Sequence, residues 1–201
     1  MTTFKAEFDD AVIKALEKWP NVPHCFGWLH LDRRGNWLIK DATITHKRAL
    51  AFIARNYAED EHGRWFVQNG PQRVFCSLAY TPLIFRLLPD QVFMTHTQRM
   101  CTEIDRFILD DEGNILLLCE LGIGLVDDRD LVALATAMQS PIGDDWLDYD
   151  TVRGLNNSQQ HVSVSLGEKS RPLVTAKSSE LSERFGFQPQ PRALESELKT
   201  S

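Results

Sequence analysis

Apolar residues in the opening segment recur at steps of three and four: Phe4, Phe8, Ala11, Val12, Ala15, Leu16 and Trp19. One apolar stripe at that spacing predicts an amphipathic helix. Pro20 ends it, and Asn21-Val22-Pro23 follows as an extended connector, because a residue before proline avoids the α region.

The pattern then turns to strands. Phe26-Gly27-Trp28-Leu29-His30-Leu31 and Asn36-Trp37-Leu38-Ile39 flank Asp32-Arg33-Arg34-Gly35, a hairpin whose glycine supplies positive φ. Thr45 is placed as the N-cap of a helix over about 46–58, with Ala49, Leu50, Phe52, Ile53 and Tyr57 on its buried face. Asp60-Glu61-His62-Gly63 repeats the turn before Arg64-Trp65-Phe66-Val67-Gln68, and Asn69-Gly70-Pro71 turns the chain back into Arg73–Leu78. After Thr81-Pro82, a further hairpin turns at Pro89-Asp90. Asp110-Asp111-Glu112-Gly113 is the third copy of the turn. Val126-Asp127-Asp128-Arg129 opens a helix over about 128–139, with Leu131, Val132, Leu134, Ala135 and Met138 inward. The acids suit that helix start as caps and against the macrodipole.

The chain echoes itself. Gly35-Asn36-Trp37-Leu38 parallels Gly113-Asn114-Ile115-Leu116, and Leu50-Ala51-Phe52-Ile53-Ala54 in the helix after the first hairpin parallels Leu131-Val132-Ala133-Leu134-Ala135 after the second. The expected fold is therefore α+β: mostly antiparallel hairpins with two packed helices after an N-terminal helix, the echo being either two similar modules or convergence on ordinary hairpin chemistry. The boundaries drawn from the pattern are 1–22 for helix and connector, 23–100 for the first module, 101–150 for a second hairpin-helix module, and 151–201 for a flexible tail. The tail reading rests on composition: this stretch has nine serines and neither Trp nor Tyr. Within it a short helix near 192–198 is placed; the alternative is a recognition tail anchored by Phe185-Gly186-Phe187.

Composition constrains partners more than chemistry. The chain has 201 residues, 22 basic and 28 acidic, a net charge of −6. The tail is slightly basic, so the body is more acidic still. Such a body gains little from phosphate neutralisation, which argues against nucleic acid, and against an anionic membrane surface. No signal peptide is expected at the N-terminus, and no apolar run approaches the roughly 18–20 residues of a membrane span. A cytoplasmic protein is expected, with Cys25, Cys76, Cys101 and Cys119 as reduced thiols. If one is reactive, the polar neighbours of Cys101 favour it.

Familiar catalytic signatures are missing. Gly122-Ile123-Gly124 lacks the rest of a dinucleotide fingerprint, and there is no P-loop, GxSxG or HExxH. The cysteines form no CxxC pair and the histidines are dispersed, so neither a metal site nor a cofactor is expected. Asp127 and Asp128 read as caps rather than an acid/base pair.

The densest chemistry lies in Gly63–Phe75. Alternation puts Arg64, Phe66 and Gln68 on one face and Trp65 and Val67 on the other. A guanidinium beside amides binds carboxylate or phosphate with geometric specificity. The candidate ligand site is Arg64, Gln68, Asn69 and Arg73, with His46 from the preceding helix and Arg86 from the following strand. The competing reading makes Asn69-Gly70-Pro71 an ordinary turn, lets Gln68 and Gln72 satisfy backbone groups, and pairs the arginines with acids such as Asp60.

The strings Trp19-Pro20-Asn21-Val22-Pro23, Gly27-Trp28-Leu29, Asp32-Arg33-Arg34-Gly35-Asn36-Trp37, Arg55-Asn56-Tyr57, Gly63–Val74 and Asp127-Asp128-Arg129-Asp130-Leu131 resemble an uncharacterised proteobacterial family of unknown function, over roughly residues 10–140. More remotely, the glycine turns and Thr81-Pro82-Leu83-Ile84-Phe85 are similar to another uncharacterised bacterial family. That resemblance implies two α+β modules reusing one motif and a suggested role in signalling. Neither family carries catalytic residues to transfer. The resulting expectation is a non-enzymatic small-ligand-binding or regulatory module, with a small anionic ligand or a protein as partner and oligomeric state unspecified. The alternative is an enzyme that holds a small anion with Arg64 and Arg73.

Overall fold

The computed structural model describes residues 8–20, 22–139, 148–160 and 162–198. Phe4, Pro141 and the acidic residues before Asp148 lie outside them. The chain divides into two units, residues 1–82 with 186–201, and residues 83–185.

In the first unit, α1 (Asp10–Lys18) precedes the meander β1 (Cys25–Leu31), β2 (Trp37–Ile39) and β3 (Ala42–Thr43). Then come α2 (Lys47–Arg55) and a second meander, β4 (Tyr57–Glu59), β5 (Trp65–Asn69) and β6 (Gln72–Leu78). The sheet order is β3-β2-β1-β6-β5-β4, antiparallel except for the central β1/β6 pair. A parallel neighbour cannot be reached by a tight turn. Here α2 and the strands around it make the crossover.

The second unit opens with the antiparallel pair β7 (Leu83–Leu87) and β8 (Phe93–Thr95). The meander β9 (Ile104–Asp110), β10 (Ile115–Cys119) and β11 (Gly122–Val126) runs into a 3-10 turn at Asp128–Asp130 and α3 (Leu131–Ala137). There follow β12 (Met138–Gln139), α4 (Tyr149–Asn157), β13 (Val162–Leu166) and β14 (Lys169–Ala176). A second 3-10 turn leads to α5 (Leu181–Phe185), and the chain returns to the first unit, ending in α6 (Glu195–Leu198). The order β12-β13-β14-β9-β10-β11 reproduces the first sheet strand for strand, with β14/β9 as the parallel centre. The pair β7-β8 extends it beyond β11. The expected repeat is thus present, and it is larger than a hairpin and a helix.

Three boundaries differ from expectation. Residues from 151 do not form a flexible tail: α4, β13 and β14 complete the second sheet, and Val152, Val162, Val164 and Leu173 are buried. The signal lay in Val162-Ser163-Val164-Ser165-Leu166, a strand alternation written with serine on the outward face. The division between units follows Pro82 rather than residue 100. Tyr57 belongs to a strand rather than to the preceding helix, because Asn56 ends α2.

Smaller differences have local causes. His46, not Thr45, caps α2, its Nδ1 accepting from Ala49 N–H at 3.3 Å. Met138 lies in β12, and Val132 points to solvent. Each sheet is sided as alternation requires. In the first unit Tyr57 contacts Trp37 and Trp65 on one face, with ring centroids 4.9 and 4.8 Å away. Phe66 and Phe75 carry the other face, with Phe8 and Phe26 packed on them. No described helix is long and apolar enough to cross a membrane.

The three acidic turns share one hydrogen-bond pattern. Asp32, Asp60 and Asp110 each accept at Oδ1 from the backbone N–H groups two and four residues later. Gly35, Gly63 and Gly113 sit at φ of 79°, 72° and 81° and donate to the same aspartates' carbonyls. At Gly63 the tolerance for a side chain is lower still, since an added Cβ would lie 1.8 Å from the Gly186 carbonyl oxygen, whereas at Gly113 it would meet nothing within 4 Å. Gly113→Ala is therefore expected to cost about 1 kcal/mol through φ, and Gly63→Ala clearly more, in urea denaturation. Equal losses would show that residues 186–188 do not pack on this turn.

Candidate functional site

The second turn departs from the other two in one residue. Asn36 and Asn114 each donate through Nδ2 to the second carboxylate oxygen of their aspartate, at 2.8 Å. At the equivalent place stands Arg64, whose Nε donates to Asp60 Oδ2 at 2.7 Å. Asparagine completes the turn and stops. Arginine completes it and projects two more nitrogens.

Those nitrogens meet the C-terminal segment. Nη1 donates to Glu197 Oε2 at 2.9 Å and to the Arg192 carbonyl at 3.0 Å, and Nη2 donates to Glu197 Oε1 at 2.7 Å. This is the two-pronged geometry that suits guanidinium and carboxylate. Leu194 N–H adds a bond to Glu197 Oε2. Arg64 is 2% exposed, and its guanidinium lies 4.4 Å over the Phe75 ring. The Arg64 contact holds the Glu197 carboxyl at a pKa of about 2, against the opposing effect of burial.

Further donors surround this pair. His24 packs edge-on against Phe75, with Nε2 3.7 Å from Glu197 Oε1. Burial, with the charges of Arg73 and Arg64, lowers its pKa despite Glu197. It is thus a neutral imidazole at pH 7, and its buried Nδ1 has no hydrogen-bond partner among the described residues. Arg73 stacks over Phe66 at 4.7 Å. Arg64 and His24 thus flank one carboxylate on the aromatic face of the first sheet. His24 was not among the residues picked from sequence; the connector after Pro23 gave no sign that it joins β1 beside β6.

The other expected site residues have separate duties. Gln68 donates to the Gly70 carbonyl at 2.9 Å, closing its turn. Asn69 is exposed and stands opposite Gln72, which donates to the Pro23 carbonyl. His46 is exposed at its cap. Arg86 belongs to the second unit, where Nε pairs with Asp130 Oδ2 at 2.7 Å. Asp127 caps the 3-10 turn and is gripped by Arg129, which holds it at a pKa of about 2. The string Arg55-Asn56-Tyr57 is structural: Arg55 and Asn56 fasten Asp9, and the Tyr57 hydroxyl donates to the Pro82 carbonyl.

In the second unit, a cavity of about 380 Å³ is lined by residues including Gln91, Cys101, Thr102, Lys169 and Arg171. Beside it, Cys101, Cys119 and Glu120 place their ligand-type atoms within 4.8 Å of one another, the group among the described residues that could hold a metal. Sequence spacing could not reveal it, because 17 residues separate the two cysteines and β9 and β10 bring them together.

Comparison with known proteins follows the fold. The structure is similar to a DUF1285 family protein from Silicibacter pomeroyi DSS-3, with a TM-score of 0.50 and 14% identity, covering 89% of this chain and 93% of that one. A DUF1285 family protein from Shewanella baltica OS155 aligns with a TM-score of 0.41 and 15% identity, over 56% of this chain and 91% of its own. At such identity the first likeness speaks to fold alone. No curated protein matches. Residues 8–192 match the DUF2944 family model, described as "Protein of unknown function (DUF2946)", and the chain belongs to that family.

Proposed function

We propose that this protein is a non-enzymatic regulatory module that binds a small carboxylate-bearing ligand at Arg64, with the chain's own Glu197 as the resident competitor. The observation that carries this reading is the two-pronged Arg64–Glu197 contact. Its donors are aimed at a planar carboxylate, and the carboxylate they hold sits on a four-residue helix near the chain's end. A ligand that took its place would also meet His24, whose buried Nδ1 has no hydrogen-bond partner among the described residues. An enzyme would need both guanidinium groups open to substrate, whereas Arg64 is already satisfied. Four free thiols fit a reducing compartment such as the cytoplasm.

Chemical rescue tests the reading. Glu197→Ala should lose about 1–3 kcal/mol, the usual worth of hydrogen bonds to a charged group, and added acetate should restore part of the lost melting temperature. Wild type and Arg64→Met should show no such response. If acetate shifts all three proteins equally, the effect is one of salt and the carboxylate site is refuted.

Acid should release the same contact. The Glu197 pKa falls from an ordinary 4.5 to about 2 on folding, so its stabilisation is complete above 4.5 and is lost as pH falls toward 2. His24, also depressed, acts in the same direction. The protection of the Gln188 amide, whose N–H donates to the Gly63 carbonyl, measured against its intrinsic exchange rate at each pH, should fall across that window in wild type and show a weaker pH dependence in Glu197→Gln. Identical profiles would detach the segment's hold from this carboxylate.

A further inference from the structure

We propose that Cys101, Cys119 and Glu120 form a binding site for a thiophilic divalent cation, zinc in the first instance. Cys101 lies in the loop before β9, where its N–H donates to the Phe93 carbonyl. Cys119 ends β10 and Glu120 begins the turn to β11. Cys101 Sγ is 3.7 Å from Glu120 Oε2, and all three ligand atoms fall within 4.8 Å of one another. Tetrahedral zinc, with bonds of about 2.3 Å to sulfur and about 2.0–2.2 Å to oxygen, needs ligand atoms about 3.6–3.8 Å apart. The cluster needs only a small contraction to reach that spacing.

The carboxylate is already oriented. Glu120 Oε1 accepts from Thr102 N–H at 2.6 Å and from the Thr102 hydroxyl at 2.9 Å, and Oε2 accepts from Glu103 N–H at 3.1 Å. Outer hydrogen bonds of this kind fix metal ligands in place. Both sulfurs are buried and make only long contacts, Cys119 with the Gly122 carbonyl at 3.7 Å. Cys76 offers a contrast: it too is buried, and among the described residues it belongs to no such group of three.

The chemistry selects the ion. Two thiolates favour zinc over magnesium or calcium, and the hard carboxylate disfavours monovalent copper. Three protein ligands leave a fourth position, and Cys101 and Thr102 line the 380 Å³ cavity on which it could open. Zinc is bound by the thiolate form of cysteine. Loading must therefore release the thiol protons, and affinity should rise with pH.

The test uses the full chain, reduced and stripped with chelator. Cobalt(II) should bind at one equivalent with an intense thiolate-to-cobalt charge-transfer band, and zinc should displace it and raise the melting temperature. Cys101→Ser and Cys119→Ser should each lose the band or weaken binding at least tenfold. Glu120→Gln should keep a thiolate band but bind more weakly. Should the serine variants fail to fold, the wild-type spectrum and the Glu120→Gln titration still decide. Absence of the band in reduced wild type overturns the site. So does a serine variant that keeps both the band and the wild-type affinity, or a pair that oxidises readily to a disulfide yet takes up no cobalt when reduced.

Discussion

The Asp60–Arg64 pair is the contact on which most of the first unit's C-terminal packing depends. Both side chains are almost wholly buried. Such a pair adds little net stability compared with an apolar replacement, but removing one partner strands the other and costs about 3–5 kcal/mol. Asp60 builds the turn through Oδ1 and aims Arg64 through Oδ2. Arg64 in turn holds Glu197 and the Arg192 carbonyl. The backbone joins in alongside: Gln188 N–H donates to the Gly63 carbonyl, and Leu78 N–H to the Pro189 carbonyl. A turn that elsewhere closes on itself here anchors a segment more than a hundred residues away.

The repeat makes that departure visible. Two sheets share a strand order in which a meander, a helix and a second set of three strands bring the first and last strands together in parallel. The shared part answers a folding problem: antiparallel hairpins form locally, and the parallel centre closes only after the crossover is made. Asn36 and Asn114 satisfy that problem with a short amide. The guanidinium at 64 has a longer reach and a charge, and nothing in the turn alone requires either. Its reason lies in what it holds.

Legibility followed sequence distance. The three turns were readable because aspartate and glycine at fixed spacing have one cheap conformation, and the sidedness of Arg64, Phe66 and Gln68 followed from alternation. Asp60 was readable as a partner because it is four residues away. Glu197 was not, because 133 residues separate it from Arg64 and its neighbourhood is polar. The strands at 162–176 were hidden by serine on their exposed face, although the alternation was present. His24 and the Cys101–Cys119–Glu120 group arise from pairing between strands, which no local pattern encodes.

A carboxylate held in cis has a consequence for what the site can sense. An intramolecular ligand competes at an effective concentration set by its tether, commonly millimolar or higher. The segment from 186 is fastened at several points, so Glu197 is held closer than a free tether would hold it. A ligand that offered only one carboxylate would have to be abundant to exchange with it. One that also bonded the buried His24 Nδ1 would gain a hydrogen bond that Glu197 does not make. Exchange would also free residues 192–197 from Arg64, coupling occupancy to the release of a chain segment. That coupling is what a regulatory module requires and what a simple buried ion pair does not provide.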